Sequence, residues 1–389
     1  MKICFVAWNP FGAGGISRVV SLLASELSKE HDISILCLKR NPGNYYNMDL
    51  SKIRMSSYEQ SLFSKERREI LNRIEKYVPL YKFDIVNRNY INIRYPHSFR
   101  KHIINYINQN NFDVVIGATG LQEAVLIGGI SNKIQAKTLG WLHTTFDLYF
   151  NKQKGKMYYD NTLIRSRYFL NKLDGCIVLS RYDQQKLAIE NIKSYAIYNS
   201  IRLPIVKSDI HSGNYKRIIY AGALNRYVKG VDVLIDGFKI FSQKNHDWCL
   251  DIYGEGPDRD FLEQKIIEYD LSERVSIHSY TAHIEDEFAK SDLLLFTSRI
   301  EGFGLVMIEA MSVGLPVVVS DLPITRELVK DRGVGWLFEN GNPEDLADKL
   351  FEAVNADLKL YSHNALHYAE TFSVEKIVKK WTELCEIKK

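Results

Sequence analysis

Two glutamates eight positions apart, Glu301 and Glu309, are the residues whose type and spacing point most directly to chemistry. Glu301 lies in a short segment with two glycines, and Glu309 lies in an apolar segment that predicts a helix. Buried strands are predicted at residues 293–296 and 316–320, so the unit is strand, glycine loop, helix and strand. Open α/β sheets bind ligands at the carboxyl ends of their strands, which is where this order puts Glu301. The free amides of the adjacent helix N-terminus suit a phosphate, so the segment could hold a sugar nucleotide.

A purely structural reading of the two glutamates is the alternative. In that reading, Glu309 is a helix-surface residue and Glu301 is a charged loop residue. However, Glu309 is flanked by Ile308, Ala310 and Met311 in a helix with the composition of a buried one. A buried carboxylate without a partner is costly, so the functional interpretation is favoured.

The second half of the chain has two more glycine-containing segments at predicted strand ends. One follows the strand at residues 217–222 and contains Gly222, Arg226 and Lys229, whose positive charges could bind a diphosphate. A basic surface turn is the alternative. The other segment contains Gly254 and Gly256 after the strand at 248–253, and it could approach a nucleotide base. Such turns are common, so this second segment is weaker evidence.

The first half opens with a strand, a glycine-rich loop and a helix. The strand is predicted at residues 2–8 and the helix at 17–29, with Gly14 and Gly15 in the loop between them, an arrangement that suits phosphate binding. The glycine spacing departs from the G-x-G-x-x-G fingerprint, which argues against a nicotinamide-dependent dehydrogenase. His143 follows a later strand and could hydrogen-bond a substrate hydroxyl or stabilise charge, although most histidines are structural or merely exposed.

Metal binding has little support in the sequence. Asp258 and Asp260 have acidic spacing, but they follow a proline and open a predicted helix, where Asp serves as a cap. The five cysteines are scattered and fit free thiols in a reducing compartment. The sequence has neither a signal-peptide pattern nor an apolar run of the about 20 residues that cross a bilayer, so we expect a cytoplasmic protein.

Strands alternate with helices along most of the chain, which is typical of parallel sheets covered on both faces. Further strands are predicted at residues 33–38, 112–117, 138–143, 175–180, 195–198 and 275–278. We therefore expect an α/β protein with two Rossmann-like, doubly wound parallel-sheet domains that face each other across a cleft. The domains are predicted at residues 1–200 and 214–372, joined by an aperiodic linker at 201–213. Residues 373–389 predict an amphipathic helix that crosses back to the first domain.

The charge is unevenly distributed along the chain. The net charge is +4, but the first 200 residues carry 28 Lys and Arg against 16 Asp and Glu, and the remainder carries 23 against 31. A basic first half indicates an anionic partner, such as a membrane surface or a phosphate-bearing acceptor, with an ordinary solvated surface as the alternative. An interfacial patch could be formed by basic and aromatic residues, namely Phe63, Lys65, Arg67, Arg68, Tyr149, Phe150, Lys152, Lys154 and Lys156.

The motifs together resemble those of the retaining glycosyltransferases of family 4, or glycosyl transferases group 1, which have the GT-B fold. The resemblance spans most of the chain, and its most specific part is the segment from Glu301 to Ala310. Its supporting positions are Gly14, Gly15, His143, the loop at residues 222–230 and the turn at 254–257.

This resemblance implies roles for the candidate residues. Glu301 would contact the donor sugar near the reaction centre, and Glu309 would hold the ribose hydroxyls. The loop whose backbone would lie against sugar and phosphate consists of Gly302, Phe303, Gly304 and Leu305. His143 would lie near the donor sugar, and Lys229 would neutralise the diphosphate leaving group. Gly14 and Gly15 would approach the donor phosphates.

One position departs from the family pattern. Family members usually have arginine directly after the glycine that is Gly222 here, and this chain has Ala223. Arg226, three residues further on, is the candidate to replace that arginine in holding the diphosphate.

The expected function is transfer of a sugar from a nucleoside diphosphate sugar, most simply a UDP-sugar, to a hydroxyl of a saccharide or lipid-linked acceptor. The expected setting is bacterial surface polysaccharide synthesis (O-antigen, capsule or lipopolysaccharide) at the inner face of the cell membrane. The resemblance implies no essential metal or other cofactor and no nucleic-acid partner. Three alternatives stay open: a sugar-nucleotide epimerase, a phosphorylase of the same fold, and a non-catalytic nucleotide-sugar-binding subunit.

Overall fold

The computed structural model describes residues 1–12, 14–39, 43–45, 48–58, 83–150, 162–204 and 216–387. The chain divides into two compact units. Unit 1 comprises residues Met1–Ser200 and Val374–Lys389, and unit 2 comprises Ile201–Ser373. The last helix therefore belongs to unit 1, although the chain reaches it only after completing unit 2.

Unit 1 is built on a parallel sheet, whose seven strands in the described ranges are β1 (Lys2–Ala7), β2 (Asp32–Cys37), β3 (Ile53–Ser57), β4 (Val114–Gly117), β5 (Lys137–Trp141), β6 (Gly175–Val178) and β7 (Ser194–Ala196). The strand order is β3-β2-β1-β4-β5-β6-β7. Most residues of the central strands are buried, because helices cover both faces of a parallel sheet. The order reverses between β1 and β4, so the loops after these two strands flank the point where such sheets bind ligands.

The helices that accompany this sheet are α1 (Gly15–Leu27), α2 (Asp84–Arg94), α3 (His97–Gln109), α4 (Leu121–Ile130), α5 (Phe146–Phe150), α6 (Thr162–Leu170) and α7 (Arg181–Ile189). Helix α1 begins two residues before the predicted start and ends two residues before the predicted end. Residues 65–74, whose sequence could form an exposed helix, lie outside the described residues.

Unit 2 repeats the plan with a six-stranded parallel sheet in the order β10-β9-β8-β11-β12-β13. Its strands are β8 (Arg217–Ala221), β9 (Cys249–Tyr253), β10 (Val275–His278), β11 (Leu293–Phe296), β12 (Val317–Ser320) and β13 (Gly335–Phe338). Its helices are α8 (Arg226–Lys229), α9 (Val231–Ser242), α10 (Arg259–Glu268), α11 (Ile284–Phe288), α12 (Leu305–Ser312), α13 (Pro323–Val329), α14 (Pro343–Val354) and α15 (Leu358–Ala369). Here the strand order reverses between β8 and β11.

The terminal helix α16 (Val374–Glu386) is amphipathic and packs within unit 1. Its buried face includes Ile377, Trp381 and Leu384, spaced three or four residues apart as a helix requires. The buried Lys137 ammonium donates to the carbonyl oxygens of Leu384 at 2.6 Å and Ile387 at 2.8 Å. A cation at this position satisfies the last carbonyls and opposes the negative end of the helix dipole.

The α/β class and the two doubly wound parallel sheets are confirmed, and the predicted strands agree with the observed ones to within two residues at each end. Two strands were not predicted, β3 and β13, and both lie at a sheet edge. In β3 only Ile53 is fully buried, so the continuous apolar run of a central strand is missing. None of the described helices has both the length and the apolarity to cross a membrane.

Candidate functional site

The reversal of strand order in unit 2 brings together two of the predicted loops. The loop after β8 contains Lys229, and the loop after the neighbouring strand β11 contains Glu301. The Lys229 Nζ donates to Glu301 Oε2 at 2.6 Å, and both side chains are largely buried. The backbone N–H of Gly302 donates to the other oxygen, Oε1, at 3.1 Å. A carboxylate and an ammonium therefore lie side by side at the edge of the sheet where ligands bind.

Helix α8 presents Lys229 and Arg226 from one short turn. The Asn225 side chain caps the turn by accepting from the Val228 N–H at 3.0 Å. Gly230 ends it in the left-handed region with φ of 61°, where a Cβ would lie 2.2 Å from the Thr297 carbonyl oxygen. Only glycine allows this close approach between the loops after β8 and β11. Because Arg226 and Lys229 are three residues apart, they project from one side of the turn.

A second ion pair locks these two loops together. The Arg299 guanidinium donates to both carboxylate oxygens of Asp232, from Nη1 at 2.6 Å and from Nη2 at 2.8 Å. Nη1 also donates to the carbonyl oxygen of Arg226, and the Arg299 N–H donates to the Val228 carbonyl at 2.9 Å. We call this set of contacts the Arg299 clamp. Burial raises the pKa of Asp232, but the hydrogen bonds and charge of Arg299 more than offset this and leave that pKa below its ordinary value.

Asp258 has a different role from the predicted one. It stands at the N-cap position of α10, but its side chain makes no capping hydrogen bond. Its carboxylate instead accepts from Arg226, from Nε at 2.7 Å and from the backbone N–H at 2.8 Å. The interpretation of Asp258 as a helix cap is therefore wrong, because Arg226 occupies both oxygens of its carboxylate.

Arg226 is consequently fixed rather than mobile. Its guanidinium carbon lies 4.3 Å from the centre of the Phe261 ring, and Nε is bound to Asp258. Neither Nη group makes a hydrogen bond to the part of the chain that the structure describes. The side chain is 39% exposed, so these two donors can reach a ligand in solution.

The glycines after β8 and β9 let two neighbouring loops touch through their backbones. A Cβ on Gly254 would lie 1.9 Å from the carbonyl oxygen of Gly222, and a Cβ on Gly256 would lie 2.3 Å from that of Leu224. The Gly222 N–H donates to the Tyr253 carbonyl at 3.0 Å. Gly254 and Gly256 thus have a packing role between the two loops, and a Cβ on Gly222 would lie 2.9 Å from the Tyr220 hydroxyl.

The loop from Glu301 to the start of α12 changes from half-buried at Glu301 and Gly302 to buried at Phe303 and Gly304. Gly304 is the N-cap residue in the left-handed region, with φ of 85°. Phe303 is buried, and its ring meets the Phe372 ring edge-on at 6.0 Å. Leu305 is half-buried, and Glu309 is buried on the second turn of α12.

In unit 1 the predicted loops also flank the reversal of strand order. Gly14 is the N-cap residue of α1 with φ of 123°, and beyond its chain neighbours no atom of the described residues lies within 4 Å of the place where its Cβ would be. Gly15 is exposed at the first position of the helix. The Trp8 N–H donates to Thr119 Oγ1 at 2.9 Å, which ties the loop after β1 to the loop after β4.

His143 joins the same edge of the sheet through the loop after β5. Its Nε2 lies 2.8 Å from the Ala118 carbonyl oxygen, which can only accept, so Nε2 carries the proton of the neutral ring. Burial lowers the pKa of His143 to about 4, which keeps the ring neutral near pH 7. Its Nδ1 is buried without a hydrogen-bond partner among the described residues. A lone pair in this setting can accept a hydrogen bond from a ligand hydroxyl.

Two further expectations concern metal binding and a membrane-facing surface patch. The described residues contain no group of three or more His, Cys, Asp or Glu side chains that could hold a metal ion. The proposed interfacial patch falls almost entirely outside the described residues, including Phe63, Lys65, Arg67, Arg68, Lys152, Lys154 and Lys156. Phe150 is described and is buried, so its assignment to a membrane-facing surface is wrong.

Several residues that support the site were not found from the sequence. Asp232 and Arg299 make the clamp, Trp141 packs beside His143, and Trp381 packs on Trp141. Arg299 stands two positions before Glu301, and Asp232 two positions after Gly230, so nearness to the predicted loops was an available signal. No local signal marks Trp381, which lies 240 residues from Trp141 in sequence.

Comparisons with known proteins agree with this geometry. The family model described as Glycosyltransferase Family 4 matches residues 13–203, and the model described as Glycosyl transferases group 1 matches residues 204–368. An uncharacterized glycosyltransferase of Haemophilus influenzae is 25% identical, with 98% of both chains covered. The amylovoran biosynthesis glycosyltransferase AmsD of Erwinia amylovora is 23% identical, with 96% of both chains covered. The solved structure of Anabaena HepE in complex with UDP has a TM-score of 0.75 at 19% identity over 99% of both chains.

Proposed function

This chain belongs to family 4 of the glycosyltransferases and has their GT-B fold, and from that membership we propose that it moves a sugar with retention of anomeric configuration. The donor is a nucleoside diphosphate sugar, and the acceptor is a hydroxyl group of a saccharide or a lipid-linked saccharide. The observation that carries the proposal is the Lys229–Glu301 pair at the reversal of strand order in unit 2, with an amide-rich helix start beside it.

A UDP-sugar is the donor that we propose. The support is the structural likeness to HepE, which was solved with UDP. The setting that we propose is synthesis of a bacterial surface polysaccharide such as capsule or lipopolysaccharide. The support is the full-length similarity to a glycosyltransferase of amylovoran biosynthesis.

The chemical problem of the reaction is charge. As the bond between the anomeric carbon and the diphosphate oxygen breaks, the diphosphate gains negative charge and the sugar gains positive charge. In the proposed site, Lys229 and the two Nη groups of Arg226 bind the diphosphate, together with the backbone N–H groups at the start of α12. We propose that this positive charge takes the place of a divalent cation, so that no metal is essential.

The positive charge on the sugar is met by Glu301. In the absence of donor, Lys229 neutralises this carboxylate at 2.6 Å. A bound diphosphate competes for the same ammonium, so donor binding transfers Lys229 towards the phosphate and leaves Glu301 facing the sugar. Glu309 is assigned to the ribose hydroxyls, and His143 Nδ1 is assigned to a hydroxyl of the donor sugar.

Transfer with retention then needs attack from the face that the diphosphate leaves. The bond from the acceptor oxygen to the anomeric carbon forms on that face, and the acceptor proton passes to the departing diphosphate oxygen. We propose this front-face route because it assigns the proton to the leaving group and needs no protein nucleophile.

The test is transfer from UDP-sugars to a panel of octyl glycosides, with the anomeric configuration of the product read from its proton NMR coupling. Wild-type protein should give a product with the donor's configuration. Glu301→Gln, which keeps the size of the side chain and removes its charge, should lower kcat by about 10²-fold or more. The matched control is Glu344→Gln at an exposed position of unit 2, which should turn over normally. An inverted product, or normal turnover by Glu301→Gln, would remove the basis of the assignment.

A further inference from the structure

Three aromatic rings in unit 1 form a continuous buried stack that ends on His143. The Trp141 ring lies 4.4 Å from the His143 ring, and the Trp381 ring lies 4.6 Å from Trp141 in an edge-on arrangement. Trp141 and Trp381 are each 1% exposed, and His143 is 6% exposed. We call this set of three rings the Trp–His stack.

The stack joins parts of the chain that are far apart in sequence. Trp141 is the last residue of β5 and His143 follows it by two residues, with their rings 4.4 Å apart. Trp381 comes from α16, which enters unit 1 only after the whole of unit 2. Lys137, at the other end of β5, binds the last carbonyls of α16 at 2.6 and 2.8 Å. One face of β5 is therefore held against α16 at both of its ends.

The His143 ring has few other restraints. Its Nε2–H bond to the Ala118 carbonyl fixes one atom and leaves rotation about that contact to be limited by packing. Nδ1 has no partner in the described part of the chain, so no second hydrogen bond sets the ring plane. The Trp141 ring, tilted by 39° to the His143 ring, is the aromatic contact that limits its orientation, and Trp381 of α16 packs edge-on against Trp141.

We propose that α16 positions His143 for sugar transfer, with Trp381 as a positioning residue that acts through Trp141. The inference rests on the role that the proposed function gives to His143. A group that hydrogen-bonds a reacting sugar must be held to within about 0.5 Å, and a misplacement of about 1 Å can cost about 10²-fold in rate. The terminal helix is thus part of the machinery of the site rather than only a structural closure of the chain.

The first test compares Trp381→Leu with wild-type full-length protein. Replacing the ring leaves Trp141 room to move, so kcat should fall by about tenfold or more while KM for the donor changes little, because α16 and the donor-charge residues Lys229 and Glu301 lie in different units. Trp381→Phe keeps an aromatic edge against Trp141 and should recover most of the lost kcat. A matched control is Phe99→Leu, which removes a buried ring that packs on Tyr58 and Tyr95 in unit 1.

The second test reads His143 directly by heteronuclear NMR of its imidazole, assigned by difference with His143→Gln. In wild-type protein the ring should carry its proton on Nε2 and have a pKa of about 4. Trp381→Leu should move that pKa towards 6.5 and mix the two tautomers. The ionisable groups nearest to His143 are Tyr149, whose hydroxyl lies against the His143 backbone, and Glu123. Lys137 and Cys385 lie further away, where the amino end of β5 meets the end of α16. Burial raises the pKa of Glu123 to about 7 and also raises that of Tyr149, so neither is ionised where His143 titrates.

The outcomes separate this inference from the proposed function. Equal effects of Trp381→Leu and Phe99→Leu on kcat, or an unchanged His143 titration in Trp381→Leu, would overturn the positioning role. If Trp381→Leu does not fold, the same comparison is made with Trp381→Phe, whose smaller ring should still shift the His143 signals. If wild-type protein transfers no sugar, the proposed function fails, and the NMR comparison still decides whether α16 holds His143.

Discussion

At the scale of single residues, the site is a set of charges that are already paired before a ligand binds. Lys229 is bound to Glu301, Arg226 to Asp258, and Arg299 to Asp232. These pairs differ in what a ligand could take from them. Lys229 has a single ionic partner, whereas Arg299 makes a two-point contact that a phosphate would have to break twice. In the proposed site, Lys229 is therefore the cation that a donor diphosphate captures, and Arg226 contributes the two Nη groups that have no hydrogen bond among the described residues.

His143 gives a pH-dependent prediction at the same scale. Its pKa is about 4 in the folded chain and near its ordinary value of 6.5 when unfolded. Below pH 6.5 the His143 imidazole binds a proton in the unfolded chain but not in the folded chain. The stability that the neutral ring contributes is therefore lost as the pH falls from 6.5 to about 4. The free energy of unfolding of wild type relative to His143→Gln should decline by up to about 3 kcal/mol over that range.

The measurement is urea unfolding of both proteins between pH 4 and 7.5, followed by tryptophan fluorescence. Phe99→Leu serves as a control, since it removes packing without removing a titrating group, and its difference from wild type should be the same at every pH. Parallel stability curves for wild type and His143→Gln would show that the ring is not held neutral by burial.

At the scale of secondary-structure elements, the site depends on how the loops after β8 and β11 are joined. The Arg299 clamp binds the start of α9, through Asp232, to the carbonyl of Arg226 and to the loop that carries Glu301. Its geometry is specific to arginine, because a guanidinium can reach both carboxylate oxygens and a third acceptor at once. The clamp therefore fixes the spacing between Lys229 and Glu301.

Breaking the clamp should reduce activity more than stability. Arg299→Lys and Asp232→Asn should each lower kcat/KM for the donor by about tenfold or more, since a lysine makes no bidentate contact. The double variant should be little worse than either single one, because both remove the same interaction. Steady-state kinetics with a UDP-sugar make the measurement. The control is Arg274→Lys. Arg274 precedes β10 and donates a hydrogen bond to the Ser242 carbonyl at the end of α9. Additive losses in the double variant would mean that the two residues act separately.

The elements also show what the sequence could and could not reveal. Strands such as β11 and β12 were predictable because a strand buried on both faces is a continuous apolar run. Edge strand β3 was not, because its exposed Arg54 interrupts such a run. The order of strand, glycine loop and helix located Glu301 and Lys229 each in a loop at the carboxyl end of a strand. Their direct contact follows from the pairing of β8 with β11, which sequence periodicity does not encode.

Long-range partners account for most of what was missed. The local sequence around Asp258 predicts a helix cap, yet its carboxylate accepts a hydrogen bond from an arginine 32 residues earlier in the chain. Trp141 and Trp381 each look like ordinary core residues in their own segments. Trp381 contacts Trp141, which in turn contacts His143, only when α16 packs against β5. Interactions of this kind depend on the tertiary fold, so secondary-structure propensity and residue spacing cannot predict them.

At the scale of the whole molecule, both units follow one topological rule. In each, the strand order reverses once, and the predicted binding loops flank the reversal, between β1 and β4 in unit 1 and between β8 and β11 in unit 2. The two family models divide the chain between residues 203 and 204, close to the boundary between the units. The last helix is the exception to this division, since it returns to unit 1. There its Trp381 packs on Trp141 of β5, which contacts His143.

The most direct test of the central claim is donor binding and hydrolysis, measured by thermal shift and nucleotide release with UDP-, GDP-, ADP- and TDP-sugars in EDTA. Wild-type protein should be stabilised by a UDP-sugar and should slowly release UDP without added metal. Lys229→Met should lose both effects, and Lys244→Met at an exposed position of unit 2 should keep them. Equal stabilisation of wild type and Lys229→Met by the donor, or release of UDP only after magnesium is added, would contradict a diphosphate site built on Lys229.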